Sequence, residues 1–151
     1  MTEAEYCTII KNSLEHITEV GYKIPDPTNS FNTTIKRPFD MIGSFKGKAL
    51  YIEVKAMNGL HSFNLKKIQD HQIQNLLLYH THVTDSLCWI ALGCYISRGD
   101  NRLYIFNNID IIAERRNNKK NILKKELEKL PYYEIHNKRI DLTIDNFISL
   151  I

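Results

Sequence analysis

Asp40, Glu53 and Lys55 occupy positions that β-strands normally give to packing. In RPFDMIGSFKGKALYIEVKAM, residues 37–57, Asp40 opens one apparent strand, and Glu53 and Lys55 lie inside the next. The alternation in that second strand sends Leu50, Ile52 and Val54 to one face and Tyr51, Glu53 and Lys55 to the other, so acid and base are surface neighbours. Pairing through the tight turn Lys46-Gly47-Lys48 brings Asp40 to the far end of the partner strand, close to both. Two converging carboxylates repel each other at neutral pH and invite a divalent cation. Oxygen ligands favour Mg²⁺ or Mn²⁺ over zinc. Phosphodiester hydrolysis uses such a set: a hard cation polarises the phosphate and acidifies its water, and a fixed ammonium, here Lys55, meets the charge developing in the transition state. An exposed hairpin whose Glu and Lys merely edge a sheet would carry the same letters.

The elements around this hairpin follow from periodicity. Residues 3–20 place Tyr6, Ile9, Ile10, Leu14, Ile17 and Val20 on one helical stripe, with Thr2 and Glu5 spaced for a capping box and Gly21 as a stop. Residues 22–38 hold Pro and Asn and read as loop or irregular edge strand. Strands are expected at 39–45 and 49–56, and a helix at 65–80 along Leu65, Ile68, Leu76 and Tyr79. Gln72 falls on that apolar stripe, where a primary amide is costly unless satisfied, so a helix packed on the hairpin could aim it at the carboxylates; at the rim of the interface it could instead bond to backbone. Residues 87–96 are apolar on both faces, as in a buried central strand, and 102–106 pair with them across the turn 97–101. The result is one α/β domain over 1–151, with a core of about 1–107 and a helical or irregular C-terminal part of about 108–151.

Composition bounds the function without choosing it. With 151 residues, 43% hydrophobic, the chain can bury the core of one domain. It has no 18-residue apolar run, and its N-terminus lacks the basic start and apolar stretch of a signal peptide, so a cytoplasmic protein without membrane attachment is expected. Cys7, Cys88 and Cys94 show no zinc spacing and read as reduced, buried thiols. A net charge of +3 permits nucleic acid as partner but is common among ordinary proteins.

Asp40, the thirteen-residue step to Glu53-Val54-Lys55, and DHQIQNLLLYH with Gln72 nineteen residues after Glu53 resemble the PD-(D/E)xK nucleases, and among them the RecU-type Holliday junction resolvases of low-GC Gram-positive bacteria and their phages. The similarity runs from about Arg37 through RLYIF, with a weaker echo in LPYYEI. It implies a restriction-endonuclease-like fold, a mixed central sheet flanked by helices. It also implies that Asp40, Glu53, Gln72 and the Val54 carbonyl hold the metal, while Lys55 stabilises the transition state. Related nucleases often add a first-helix glutamate, for which Glu3 and Glu5 are the candidates; either is equally explained by the helix dipole. Two departures stand out. Pro38 replaces a usual Thr, removing one side-chain oxygen, and the stretch from Gly21 to Asp40 is shorter than the family's, so the stalk inserted into junctions is expected to be missing.

Lys36 and Arg37 flank the proposed site, Lys46 and Lys48 sit on its hairpin turn, and Lys66 and Lys67 open the second helix, as a phosphate-tracking groove would require. The run Arg115, Arg116, Lys119, Lys120, Lys124, Lys125 could extend the groove, although the interleaved Glu126, Glu128, Ile122, Leu123 and Leu127 fit an amphipathic helix equally well. His61, His71, His80, His82 and His136 have no ligand spacing, and Trp89 is expected in the core. The reading is a Mg²⁺- or Mn²⁺-dependent DNA endonuclease, a homodimer that resolves four-way junctions with paired cuts. A nuclease of the same fold acting on flaps, nicks or duplex is the nearest alternative, and a non-cutting DNA-binding module the more distant one.

Overall fold

The computed structural model describes residues 1–25 and 36–150. Helix α1, Glu3–His16, starts with the expected capping box: the Thr2 hydroxyl accepts from the Glu5 N–H at 3.2 Å and the Glu5 carboxylate accepts from the Thr2 N–H at 2.6 Å. It ends four residues short of the expected boundary. Thr18 takes a left-handed φ of 60°, and the Glu19 N–H turns back to the Leu14 carbonyl at 2.9 Å, closing the helix before Val20 can join its stripe. Val20 is accordingly exposed. Its carbonyl accepts from the Ser44 N–H and starts a short edge strand, β1, Gly21–Lys23, so the irregular segment does contribute to the sheet.

Strands β2, Met41–Phe45, and β3, Lys48–Asn58, form the expected hairpin. Its two turn residues, Lys46 and Gly47, both have positive φ, 50° and 75°, the turn geometry that matches the twist of a two-residue hairpin. A 3₁₀ turn, Leu65–Lys67, and helix α2, Asp70–His82, then cross over to β4, Ser86–Ser97, which pairs parallel with β3. Such a parallel pair needs a connection of this length. Strand β5, Asp100–Phe106, returns antiparallel.

The C-terminal part departs from the expected tail. After helices α3, Ile109–Asn117, and α4, Lys124–Leu127, two short strands, β6, Tyr133–Glu134, and β7, Phe147–Ile148, pair with successive segments of β5. The single helix that residues 114–129 suggest is split in two at Lys119, which has φ 57°. The described residues form a seven-stranded mixed sheet in the order β1-β2-β3-β4-β5-β6, with β7 beside β5.

Both faces of the central strands are covered. Leu50, Ile52 and Val54 pack with Trp89, Ala91 and the buried stripe of α1, while Cys88, Ile90, Leu92 and Tyr104 pack beneath α2 and α3. This explains why β4 is apolar on both faces, with Trp89 in the core as expected. All three cysteines are free and buried, and burial pushes each thiol up to about 12.

Candidate active site

The site forms where β2 stops and β3 continues. Met41 is the first β2 residue to pair, opposite Ile52, and the Asp40 N–H still donates to the Ile52 carbonyl at 3.1 Å. Beyond that point the Asp40 side chain takes over the role of the missing strand: its Oδ2 accepts from the Val54 N–H at 2.8 Å. In an extended strand the N–H and C=O of one residue point to the same edge, so the Val54 carbonyl also faces the gap past the end of β2. Asp40 Oδ1 pairs with Arg37 at 2.7 Å, and Arg37 donates to the Ile24 carbonyl at 3.0 Å. Arg37 therefore positions the carboxylate, whereas the sequence suggested a phosphate contact.

Asp40, Glu53 and Lys55 converge and are buried, at 3%, 1% and 8% exposure. Charged groups are rarely buried this far without a job or a partner. Lys55 Nζ lies 3.2 Å from Glu53 Oε1. The contact is an ion pair, and among the described residues Glu53 Oε1 has no hydrogen-bond partner. Burial, then the charge of Asp40, pushes the Glu53 carboxyl up to about 8, against the opposing pull of Lys55. A buried, unsatisfied carboxylate oxygen facing a second carboxylate is what a divalent cation would relieve. No group of three or more His, Cys, Asp or Glu able to hold a metal occurs among the described residues.

Helix α1 reaches the same place from the opposite face. Tyr6 packs flat on Gly93 of β4, where a Cβ would lie 2.3 Å from the ring, and the Tyr6 hydroxyl donates to Asn101 Oδ1 at 2.8 Å. That seat brings the first turn of α1 to the site. Desolvation raises the Glu3 carboxyl, with Lys55, Asp40 and Arg37 the next influences on it. Glu5 is instead held in the capping box. Of the two first-helix candidates, Glu3 is the one within electrostatic reach of the site.

The model of the RecU family, Recombination protein U, matches residues 2–150. The chain belongs to this family. Among curated proteins none matches. Among solved structures, Hjc of Archaeoglobus fulgidus, a Holliday junction resolvase from an archaeal hyperthermophile, is similar at 16% identity, with a TM-score of 0.38 over 60% of this chain and 66% of that chain. The chain thus spans just under two thirds of that relative.

In this RecU-family chain the fold is the expected α/β one, a mixed sheet flanked by helices, and Asp40, Glu53 and Lys55 meet as their spacing implied. Gln72 does not sit as expected. Helix α2 begins at Asp70, not 65, because Asn64 caps the separate 3₁₀ turn through the Lys66 N–H and Ile68 closes that turn onto Leu65. Gln72 is therefore the third residue of the helix, and its Oε1 accepts from the Gln69 N–H at 2.9 Å as part of a capping box. Its buried companions on α2 are Ile73 and Leu76. His71, passed over in the sequence, lies near the site: burial first, then the charges of Lys36 and Lys55, hold its imidazole below the usual range. Adjacency to Gln72 was the one signal for it.

The basic groups are dispersed. Lys36 is exposed, and its charge acts on the imidazole of His71. Lys46 and Lys48 are at the turn end of the hairpin, five residues along β3 from Glu53, or roughly 17 Å at about 3.3 Å per residue. They do not surround the carboxylates. Lys66 and Lys67 belong to the 3₁₀ turn, ahead of α2 rather than in it. The expected loss of the stalk concerns a segment that includes residues 26–35, outside the described residues.

Proposed function

We propose that this chain is a metal-dependent DNA endonuclease that resolves Holliday junctions. Membership of the RecU family supports the substrate class. The observation that carries the chemistry is the buried pair Asp40 and Glu53, with Glu53 Oε1 unsatisfied and Lys55 beside it. Asp40, Glu53 and the Val54 carbonyl would hold Mg²⁺ or Mn²⁺, with Glu3 at the rim as a further acid. Gln72 Oε1 accepts the Gln69 N–H with one lone pair, and its second lone pair is the one it would offer the cation. When bound, the cation supplies Lewis-acid polarisation of the phosphate and a more acidic water.

The chain's own residues do the rest. Arg37 and the Val54 N–H grip one oxygen each of Asp40, so its carboxylate is held in one orientation before substrate arrives. Lys55 keeps its ammonium at the carboxylates, in place to meet the negative charge that builds on the phosphoryl oxygens. Ile90 and Leu92, the cross-strand partners of Glu53 and Lys55 on the same sheet face, are buried, which strengthens each of these electrostatic contacts.

A homodimer suits paired cuts in opposed strands. On the sheet face that carries Glu53, cross-strand partners Tyr22, Ile42 and Tyr51 form an apolar row, with Tyr22 60% and Ile42 40% exposed. A second copy is the occupant we assign to it. No helix among the described residues is long and apolar enough to cross a membrane. A DNA substrate and unpaired thiols agree with action in the cytoplasm.

The test is cleavage of labelled four-way junction, flap, duplex and single strand with Mg²⁺ or Mn²⁺. Asp40→Asn and Glu53→Gln are each expected to cut at least about 10²-fold more slowly while still binding junctions. Cutting near the wild-type rate by either variant removes the site assignment, and indifference between junction and flap moves the substrate to the broader nuclease class.

A further inference from the structure

Away from the candidate active site, a cluster of lysines with no ion pair among the described residues lies where the break between α3 and α4 meets the 3₁₀ turn. The strand-like contact of Phe63 with Ile122, bonded both ways at 2.8 and 3.1 Å, pins the break beside residues 63–66. Arg116 closes the other side, donating to the Ile68 carbonyl at 2.8 Å and to Asp70 at 2.5 Å. Arg115 is held by both oxygens of Glu126, at 3.2 and 2.9 Å. The two arginines are thus neutralised and act as framework.

Lys66, Lys119 and Lys120 remain exposed, with no ion pair among the described residues. They line one cleft of about 220 Å³ together with Asn64 and Asn121. A neighbouring hollow of about 380 Å³ shares Lys66 and Lys119 and reaches Asp70. A larger one of about 550 Å³ continues along Lys119 and Lys120 toward Glu114, whose carboxylate offsets part of the charge at its outer end. Lys119 points from a left-handed backbone position, φ 57°, which an ordinary lysine helix would not adopt.

The ledge borders the N-terminus of α2: Asp70, the first residue of that helix, lines the hollow with Lys66 and Lys119, and Arg116 ties Asp70 and the Ile68 carbonyl to α3. We infer that the Lys66, Lys119 and Lys120 ledge is a second phosphate-binding surface, which grips the sugar-phosphate backbone of the DNA arm leaving the catalytic site past the N-terminus of α2. The inference rests on the endonuclease reading above. Amine and amide donors on a fixed frame suit phosphate oxygens and carry no base readout, so the surface serves arm placement and is indifferent to sequence.

The experiment measures junction binding by fluorescence anisotropy across a NaCl series without divalent metal. It compares the full chain, Lys119→Asn/Lys120→Gln, and a control, Lys11→Gln/Lys138→Asn, that removes equal charge on the α1 side; Lys138, like Lys119, has φ 57°. Asn is chosen because it tolerates left-handed backbone. The cleft variant is expected to bind roughly tenfold more weakly and to lose about 1–2 from the slope of log K against log salt, to the same extent for unrelated junction sequences. The control should match wild type. As a second measurement on wild type, Lys119 and Lys120 should be protected from acetylation in the DNA complex while Lys138 is not, which decides the matter even if the variant fails to fold. Unchanged slope with unprotected lysines, or an equal loss in the control, overturns the ledge alone. A wild-type protein that binds no DNA at any salt concentration overturns the endonuclease reading and the ledge with it.

Discussion

Glu53 is held between opposing demands: burial and the Asp40 charge push its carboxyl up to about 8, while Lys55 pulls it down. The folded-state value is raised above the unfolded one, so the folded chain binds this proton more tightly. Stability from it is fully present below about 4.5 and lost as pH rises through about 8. Wild-type melting temperature should therefore fall between pH 5 and pH 8 in the absence of divalent metal, and Glu53→Gln should flatten that fall, by on the order of a few kcal/mol at the alkaline end. Urea melts at several pH values check it; parallel profiles for the two proteins would refute the buried charge. Adding Mg²⁺ or Mn²⁺ at pH 8 should raise the melting temperature of wild type and not of Glu53→Gln, because the cation binds only the folded, ionised site. Lys55→Ala should slow cleavage even at saturating metal, since its assigned role is transition-state charge. Rescue by extra Mg²⁺ would reassign it to metal capture.

Helix α1 is seated tightly over Gly93 by Tyr6, within the packing of its buried stripe, and helix α2 meets the site with its capped first turn. Gly93→Ala drives a methyl into the Tyr6 ring, and both neighbours are rigid. A loss of about 1–3 kcal/mol is expected in urea unfolding, with partial recovery when Tyr6→Leu is added. Full stability of Gly93→Ala would mean that α1 has room to shift. Gln72→Ala removes a cap worth about 1 kcal/mol, which urea unfolding will show whatever its catalytic part. The same variant separates the two roles open to this residue. A structural cap predicts cleavage that stays near wild type at temperatures where the variant is folded, whereas a ligand predicts lower metal affinity in a Mn²⁺ titration.

On the proposed reading, the whole molecule would hold more DNA than one active site touches. Two copies, each with a carboxylate pair at the end of β2 and basic groups dispersed from Lys36 to Lys120, would match paired arms. Junction is thus expected to outlast equal-length duplex as salt rises, because duplex lacks the second copy's contacts. Competition across a salt series, with light scattering in parallel, tests this. A strict monomer that binds both DNAs equally would contradict it. Tyr22→Glu/Ile42→Glu places like charges in the exposed row and should shift a dimer to monomer without lowering the melting temperature of the monomer, since both side chains are already solvent-accessible.

Local signals in the sequence determined what local physics controls. The period of two placed Glu53 and Lys55 on one face of β3, Lys46-Gly47 determined the hairpin, Thr2 and Glu5 marked the start of α1, and the doubly apolar β4 announced a central strand. Together with the Asp40 and Glu53 spacing, these made the α/β fold and the core of the site legible. Tertiary structure decided what depends on partners distant in the chain. Residues 133–134 and 147–148 are too short to show strand periodicity and become strands only because β5 offers an unpaired edge. Arg37 reads as a free cation until the fold brings the Ile24 carbonyl and Asp40 around it. Gln72 looked like a mid-helix amide because Leu65 and Ile68 continue its spacing, but the Asn64 cap spends those residues on a separate 3₁₀ turn. Side-chain type and spacing set which groups can do chemistry, and burial against distant segments sets which of them are left unsatisfied to do it.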